Sequence, residues 1–197
     1  MFTAKHPLIL ASGSPRRRNM LASLGLAFTI IPPVVDETVK PDEDPAAYVR
    51  RMARIKSEAV ANLHTDACVI SADTIVLLEN TVLGKPADQA AHLAMLQRLN
   101  GQTHLVMTAL HLNFRAQQLD TQITRTTEVT FFSHSAETLA NYVATGEGAD
   151  KAGGYALQGK GVFLIASISG SPSNAIGMPL GELVSLLLEH RIIVSSS

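Results

Sequence analysis

The sequence predicts an α/β fold in which a mixed sheet is flanked by helices. Short apolar runs alternate with segments of helical periodicity, and two long alternating stretches, residues 103–114 and 122–132, indicate an antiparallel pair of strands. At 197 residues and 46% hydrophobic content, the chain is long enough to bury one sizeable core. We therefore expect a single domain over residues 1–197.

Strands are predicted where short apolar or alternating runs end at turn-forming residues. They are expected over residues 8–11, 27–31, 67–72, 75–78, 81–83, 103–114, 122–132 and 162–168. Asp73 and Thr74 interrupt the apolar run between residues 67 and 78. The glycine-rich stretch 146–161 and residues 169–177 are predicted to be loops.

Helices are predicted where a helical pattern follows a capping residue. They are expected over residues 14–25, 44–63, 87–99 and 135–144, and from residue 179 onward. Proline follows the expected N-caps Ser14 and Asp44, and Ser135 caps the fourth helix. Gly25 and Gly101 lie where a residue of left-handed conformation commonly ends a helix.

Composition argues against several classes of protein. Charged residues make up 17% of the chain and the net charge is −1, so no basic field exists to hold a nucleic acid or an anionic membrane. Cys68, the one cysteine, lies in an apolar run and supports neither a disulfide framework nor a metal cluster. The apolar stretch that ends at Ala11 is too short for a signal-peptide core, so we expect a cytoplasmic location. The histidines are scattered, and we expect most of them to be exposed.

Three arginines, residues 16–18, occupy the first turn of the first predicted helix. The free N–H groups and the macrodipole already make this end positive, so cations are misplaced there unless an anion binds. A strand, a glycine-containing turn and a helix N-terminus form a common phosphate site, to which arginine adds bidentate donors. A solvated arginine cluster is the alternative interpretation, and the sequence leaves both open.

Two charged residues lie where apolar residues are expected. Lys56 falls on the apolar stripe of the second predicted helix, where it must either extend to solvent or meet an anion. Asp73 lies inside an apolar run and needs a cation, a hydrogen-bond network or a metal. The alternative for Asp73 is that the run consists of two strands, with Asp73 and Thr74 at a bend between them.

Glu37 and Lys85 lie in predicted loops, where a solvated charge is ordinary. Together with Arg16, Arg17, Lys56 and Asp73, they supply carboxylates for a hard divalent cation and positive charges for phosphate oxygens. These are the groups that hydrolysis of a phosphoanhydride requires.

Residues 154–160 match the pattern Gly-x4-Gly-Lys, but Gly161 stands where a phosphate-binding P-loop has serine or threonine. The following residues are predicted to form a strand, whereas a P-loop continues into a helix. We therefore exclude a P-loop. The sequence also lacks the Gly-x-Ser-x-Gly, His-Glu-x-x-His and Cys-x-x-Cys patterns of serine hydrolases and zinc sites.

Seven ordered motifs resemble those of the Maf family. They are LASGSPRRR (10–18), VDE (35–37), ARIK (53–56), SADT (71–74), LGKP (83–86), DKAGGYALQG (150–159) and SPSN (171–174). Each motif alone is short, but seven in the same order with compatible spacing cover nearly the whole chain. The resemblance is therefore specific.

The resemblance implies a mixed α/β fold akin to the inosine triphosphate pyrophosphatases, with a central cleft beside an elongated sheet and, in many members, a homodimer. It also implies a nucleoside triphosphate diphosphatase that cleaves between the α and β phosphates with Mg²⁺ or Mn²⁺. By position in the motifs, Asp73 corresponds to the proton acceptor, Glu37 and Asp73 to metal ligands, and Lys56 and Lys85 to catalytic triphosphate binders. The substrate-binding positions correspond to Ser12, Ser14, Arg16, Arg17, Thr74 and Gln158.

The family divides by nucleobase, and the branch specific for 7-methyl-GTP has an aromatic residue and an acid where this chain has Arg16 and Gln158. The resemblance therefore implies dTTP and UTP, or modified pyrimidine nucleotides, as substrates of a house-cleaning hydrolase. The alternatives are the 7-methyl-GTP branch and a nucleotide-binding regulator of septum formation with little turnover.

Overall fold

The computed structural model describes residues 1–196 and contains a mixed sheet flanked by helices. The strands are β1 (Phe2–Ala4), β2 (Leu8–Leu10), β3 (Thr29–Ile30), β4 (Cys68–Leu78), β5 (Thr81–Leu83), β6 (Thr103–Phe114), β7 (Leu119–Phe131), β8 (Ile165–Ser169) and β9 (Ile193–Ser195). The helices are α1 (Pro15–Ala22), α2 (Pro45–Ala61), α3 (Gln89–Leu99), α4 (Ala136–Ala144), α5 (Pro172–Ile176) and α6 (Leu180–Glu189). Short 3-10 turns cover Arg115–Gln117, Ala152–Gly154 and Lys160–Leu164.

Strand pairing makes the sheet mixed. Its order is β3-β2-β4-β6-β7-β8, with β5 paired to β4. β2 is parallel to β3 and β4, whereas the β4–β5 and β7–β8 pairs are antiparallel. β1 and β9 form a separate antiparallel pair. The predicted α/β fold with a mixed sheet and flanking helices is confirmed.

The chain divides into two compact units. Unit 1 comprises Met1–Asp73, Thr108–Arg125 and Gly177–Ser197, and unit 2 comprises Thr74–Met107 and Thr126–Ile176. In unit 1, Ile9 of β2 and Val69 of β4 share a buried cluster with Val60 of α2. In unit 2, α3 packs against α4, and Leu96 and Leu139 belong to its buried core. The expectation of a single domain stays a prediction.

Strand β4 continues without a break through Asp73 and Thr74, so the interpretation of two strands joined by a bend is wrong. The flanking apolar residues are buried along the whole strand, and the burial of that run outweighs the turn preference of one Asp-Thr pair. The third helix begins at Gln89 instead of Ala87, because the Asp88 carboxylate accepts the Ala91 N–H at 2.7 Å and caps it.

Two predictions near the C-terminal end differ from the structure. The strand predicted over residues 162–168 is present as β8 but begins at Ile165, because residues 160–164 form a 3-10 turn in which the N–H groups of Lys160 and Gly161 bind the Glu147 carboxylate. Residues 172–176 form helix α5 instead of a loop. Pro172 presets a helical φ there, and the Ser171 hydroxyl accepts the Asn174 N–H at 3.3 Å.

The expectation of mostly exposed histidines is wrong. His92, His104 and His111 are buried, and the other four histidines are half-buried. The His104 Nε2 atom lies 2.7 Å from the Tyr155 hydroxyl, whereas its Nδ1 atom has no hydrogen-bond partner within residues 1–196. Burial lowers the pKa of His104 to about 4. Cys68 is buried, and burial raises its pKa to about 12. In the described part of the chain, no helix is both long and apolar enough to span a membrane.

His104→Gln is expected to remove part of the acid sensitivity of the fold. Because the pKa of His104 falls from 6.5 to about 4 on folding, the unfolded chain binds the proton more readily, and stability falls as the pH drops from 6.5 towards 4. At pH 5 this linkage costs about 2 kcal/mol of unfolding free energy. Urea unfolding at pH 7.5 and pH 5 should show a smaller loss in the variant, and an equal loss in both proteins would contradict the assignment.

Candidate active site

The first feature of the site is a carboxylate in the middle of a buried strand. Asp73 lies on β4 with 9% of its surface exposed, between Ala72 and Thr74. A carboxylate at this depth needs a cation, a metal or hydrogen-bond donors, because the ionised form loses its hydration.

Lys56 of α2 supplies the cation. Its Nζ atom lies 2.7 Å from Asp73 Oδ1 and 3.0 Å from Glu37 Oε1, so one ammonium bridges two carboxylates. The Lys56 side chain is 11% exposed and shares its helix face with buried Met52 and Val60. The alternative in which Lys56 extends to solvent is therefore wrong. We call Glu37, Lys56 and Asp73 the Lys56 cluster.

Glu37 reaches the cluster from an irregular loop between β3 and α2 that helix α2 holds in place. The Tyr48 hydroxyl donates to the Glu37 carbonyl at 3.1 Å, and Arg51 donates to the Thr38 carbonyl at 3.0 Å. Arg51 also forms a two-point contact with Glu43, at 2.6 and 2.5 Å, which lowers the pKa of Glu43 to about 2. Burial raises the pKa of Tyr48, and the negative charges of Asp73 and Glu37 raise it further.

The arginine-rich turn contributes Arg17 to the same unit. Arg17 Nε donates to the Gly177 carbonyl at 2.9 Å, and Nη1 lies 3.4 Å from the Ser12 hydroxyl. Burial lowers the pKa of Arg17, while Asp73 and Glu37 act in the opposite direction, and the guanidinium stays charged. The Ser12 hydroxyl also accepts the Ser14 N–H at 3.2 Å, and Ser14 is the N-cap residue of α1, as predicted.

The Lys56 cluster has the donor set of a divalent-cation site. Among residues 1–196, no three His, Cys, Asp or Glu side chains are grouped to hold a metal. Glu37 and Asp73, however, bring two carboxylates to one point, and Mg²⁺ commonly binds one or two protein carboxylates and takes its other ligands from water and phosphate. The pair therefore fits Mg²⁺ or Mn²⁺ bound together with a phosphate ligand.

The remaining predicted site residues lie in different surroundings. Arg16 is half-buried in α1 of unit 1. Thr74, Lys85 and Gln158 belong to unit 2: Thr74 is half-buried on β4, and the other two are exposed in loops. The Gly84 carbonyl next to Lys85 accepts the Gly153 N–H at 3.1 Å, which ties the Lys85 loop to the glycine-rich segment.

Comparison with known proteins identifies the family. The family described as Maf-like protein matches residues 7–190. The chain belongs to the Maf family.

Relatives in the Maf family cover nearly the whole chain. A protein of Desulfotalea psychrophila named dTTP/UTP pyrophosphatase is 45% identical over 98% of this chain and 99% of its own length. One of Myxococcus xanthus with the same name is 48% identical over 91% of this chain and 90% of its own length. The solved structure of the Staphylococcus aureus Ham1 protein covers 94% of this chain and 99% of its own, with a TM-score of 0.54 and 14% identity, and it supports the fold alone.

Sequence reasoning missed the residues of this Maf chain that hold its loops. Tyr48 and Arg51 belong to the predicted helix, but no local pattern shows that they face the Glu37 loop. Glu147 was also missed, because no local pattern in the glycine-rich segment marks the backbone groups that it binds. These side chains form hydrogen bonds with backbone groups, and every residue has such groups, so the sequence does not show which of them will be partners.

The glycine-rich segment of this Maf chain is closed to phosphate at its Gly-Lys end. The Glu147 carboxylate accepts the Lys160 N–H at 2.8 Å and the Gly161 N–H at 2.7 Å. In a P-loop, N–H groups at such positions bind a phosphate, but here an internal anion occupies them. The exclusion of a P-loop is therefore supported by geometry, and the strand predicted after it is present as β8, which begins at Ile165.

Proposed function

We propose that this protein hydrolyses dTTP and UTP, or modified pyrimidine nucleotides, to the monophosphate and pyrophosphate. The observation that carries the proposal is the Lys56 cluster, in which a buried carboxylate on β4 is joined to a second carboxylate through one ammonium. Relatives at 45–48% identity that are named dTTP/UTP pyrophosphatase support the substrate class.

In this proposal, Asp73 accepts the proton of the attacking water, and Lys56 pairs with its carboxylate and orients it. Glu37 and Asp73 would hold Mg²⁺ or Mn²⁺, whose chemistry when bound is to acidify water and offset phosphate charge. Arg17, Lys56 and Lys85 bind triphosphate oxygens and stabilise the charge that develops on the departing pyrophosphate. Ser12, Ser14, Arg16, Thr74 and Gln158 contact the substrate.

Product analysis tests the proposal. Purified protein with Mg²⁺ is incubated with dTTP, UTP, CTP or 7-methyl-GTP in ¹⁸O-labelled water. We expect monophosphate carrying the label and unlabelled pyrophosphate. The rate of hydrolysis should be highest for dTTP and UTP, lower for CTP and lowest for 7-methyl-GTP. Release of nucleoside diphosphate and phosphate would contradict cleavage between the α and β phosphates. Nucleotide binding without pyrophosphate release would favour a nucleotide-binding regulator.

Gln158→Glu is expected to erode the pyrimidine preference. A uracil or thymine edge presents carbonyl acceptors on either side of one N–H, and a glutamine amide can match one carbonyl and that N–H together. If Arg16 faces the 4-position, its donors suit the carbonyl of uracil and oppose the amino group of cytosine. A glutamate cannot donate, so kcat/KM for UTP relative to 7-methyl-GTP should fall about tenfold.

The matched control is Gln102→Glu, the same change at an exposed position of unit 2. It should leave the UTP to 7-methyl-GTP ratio unaltered. A Gln158→Glu variant that keeps the wild-type ratio would show that this residue does not select the base.

Two further expectations belong to the proposal. We expect the protein to act in the cytoplasm, with neither nucleic acid nor membrane as a partner, and to form a homodimer. Light scattering after size-exclusion chromatography measures the oligomeric state directly.

A further inference from the structure

Gln158 lies in a short loop whose two sides are held by one pair of side chains. On its far side, the N–H groups of Lys160 and Gly161 donate to the two carboxylate oxygens of Glu147, at 2.8 and 2.7 Å. On its near side, the Ala156 backbone and the Tyr142 hydroxyl lie against the same side of Gly161, where an added β-carbon would meet both. The two side chains, Tyr142 and Glu147, are also hydrogen-bonded to each other, because the Tyr142 hydroxyl donates to the Glu147 carboxylate at 3.2 Å.

The pair rests on the core of unit 2. The Tyr142 side chain is 2% exposed and belongs to the last turn of α4, which packs against α3. Burial alone would raise the pKa of Glu147, but the Lys160 and Gly161 N–H groups and the Tyr142 hydroxyl lower it, so the carboxylate stays charged. Lys151 Nζ donates to the Glu147 carbonyl and fixes the backbone of the same residue.

Steric limits confine the loop further. Gly159 has a φ of +92°, and a β-carbon there would collide with the Glu147 carboxylate. A β-carbon at Gly161 would lie 2.6 Å from the Ala156 carbonyl oxygen and 2.7 Å from the Tyr142 hydroxyl. The backbone on both sides of Gln158 is therefore built around the Tyr142–Glu147 pair.

We propose that Tyr142 and Glu147 are positioning residues for nucleobase selection, which hold the loop of Gln158 in one conformation. This inference rests on the proposed function, because it concerns the base that the Gln158 amide reads. An amide that is free to rotate can match either uracil or cytosine, so Gln158 discriminates between the two bases only where its loop holds the side chain in one orientation. Without the anchor, the loop samples several positions, and the advantage of the matching base falls.

Glu147→Gln tests the anchor with the least change in shape. One amide oxygen can accept only part of the contacts that the carboxylate makes, and the amide NH₂ opposes a backbone N–H. In the full-length protein with Mg²⁺, we expect the ratio of kcat/KM for UTP to that for CTP to fall about tenfold, and the smaller change Tyr142→Phe to lower it about threefold. Amide hydrogen exchange over residues 156–162 should become faster in both variants.

Glu137→Gln, the same change at an exposed position of α4, is the matched control and should leave the ratio and the exchange unaltered. Equal losses for UTP and CTP in Glu147→Gln, with the ratio unaltered, would overturn the inference and leave the pair a merely structural role. If Glu147→Gln does not fold, the ratio of kcat/KM for UTP to that for CTP in Tyr142→Phe tests the inference instead. Wild-type protein that releases no pyrophosphate would instead contradict the proposed function, and the UTP to CTP ratio of Kd values would then test the anchor.

Discussion

Asp73→Asn is expected to lower kcat about a thousandfold while the protein stays folded. The asparagine amide cannot accept a proton from water and is a poor ligand for Mg²⁺. Its oxygen can still accept from Lys56 Nζ, which lies 2.7 Å from Asp73 Oδ1, and Lys56 keeps its contact with Glu37. Steady-state release of pyrophosphate from UTP measures the effect, and thermal unfolding checks the fold.

Asp66→Asn is the matched control, because it makes the same chemical change at an exposed position of unit 1. It should keep wild-type turnover. Hydrolysis near the wild-type rate in Asp73→Asn would show that the base is elsewhere and would refute the proposed mechanism.

Lys56→Met is expected to lower both turnover and stability. An apolar helix stripe considered alone predicts that methionine preserves or raises stability, but the contact with Asp73 reverses this expectation. Removal of the ammonium leaves the Asp73 side chain, which is 12% exposed, without its closest cation, and this should lower the unfolding free energy by about 3 kcal/mol. Loss of the same charge from the triphosphate site should lower kcat about a hundredfold.

A double-mutant cycle separates the two effects. The variant Lys56→Met with Asp73→Asn removes both charges, so it should regain most of the stability lost in Lys56→Met while remaining inactive. Lys5→Met, at an exposed position, is the control and should leave the urea midpoint unaltered. Wild-type stability in Lys56→Met would show that Asp73 does not depend on this ammonium.

The sequence predicted several elements because their signals are local. Helix α2 begins at Pro45 after Asp44, whose carboxylate accepts the Ala47 N–H, as an N-cap pattern requires. The sequence also identifies Lys56 and Asp73 as unusual, since a charge among apolar residues needs a partner in any fold that buries it. The sequence leaves the course of β4 through Asp73 and Thr74 open, because one polar pair suits a bend as well as a strand.

Which partner each charge takes was decided only by the tertiary structure. The sequence shows that Lys56 and Asp73 each need an opposite charge, because their apolar neighbours along the chain predict that both side chains are buried. That Lys56 meets Asp73 and Glu37 depends on where α2 lies against β4 and on how Tyr48 and Arg51 hold the Glu37 loop. The contact of the Glu147 carboxylate with the N–H groups of Lys160 and Gly161 likewise depends on the tertiary structure. Hydrogen bonds and ion pairs act over about 3 Å in space, and apolar periodicity specifies which face of an element is buried without specifying what faces it.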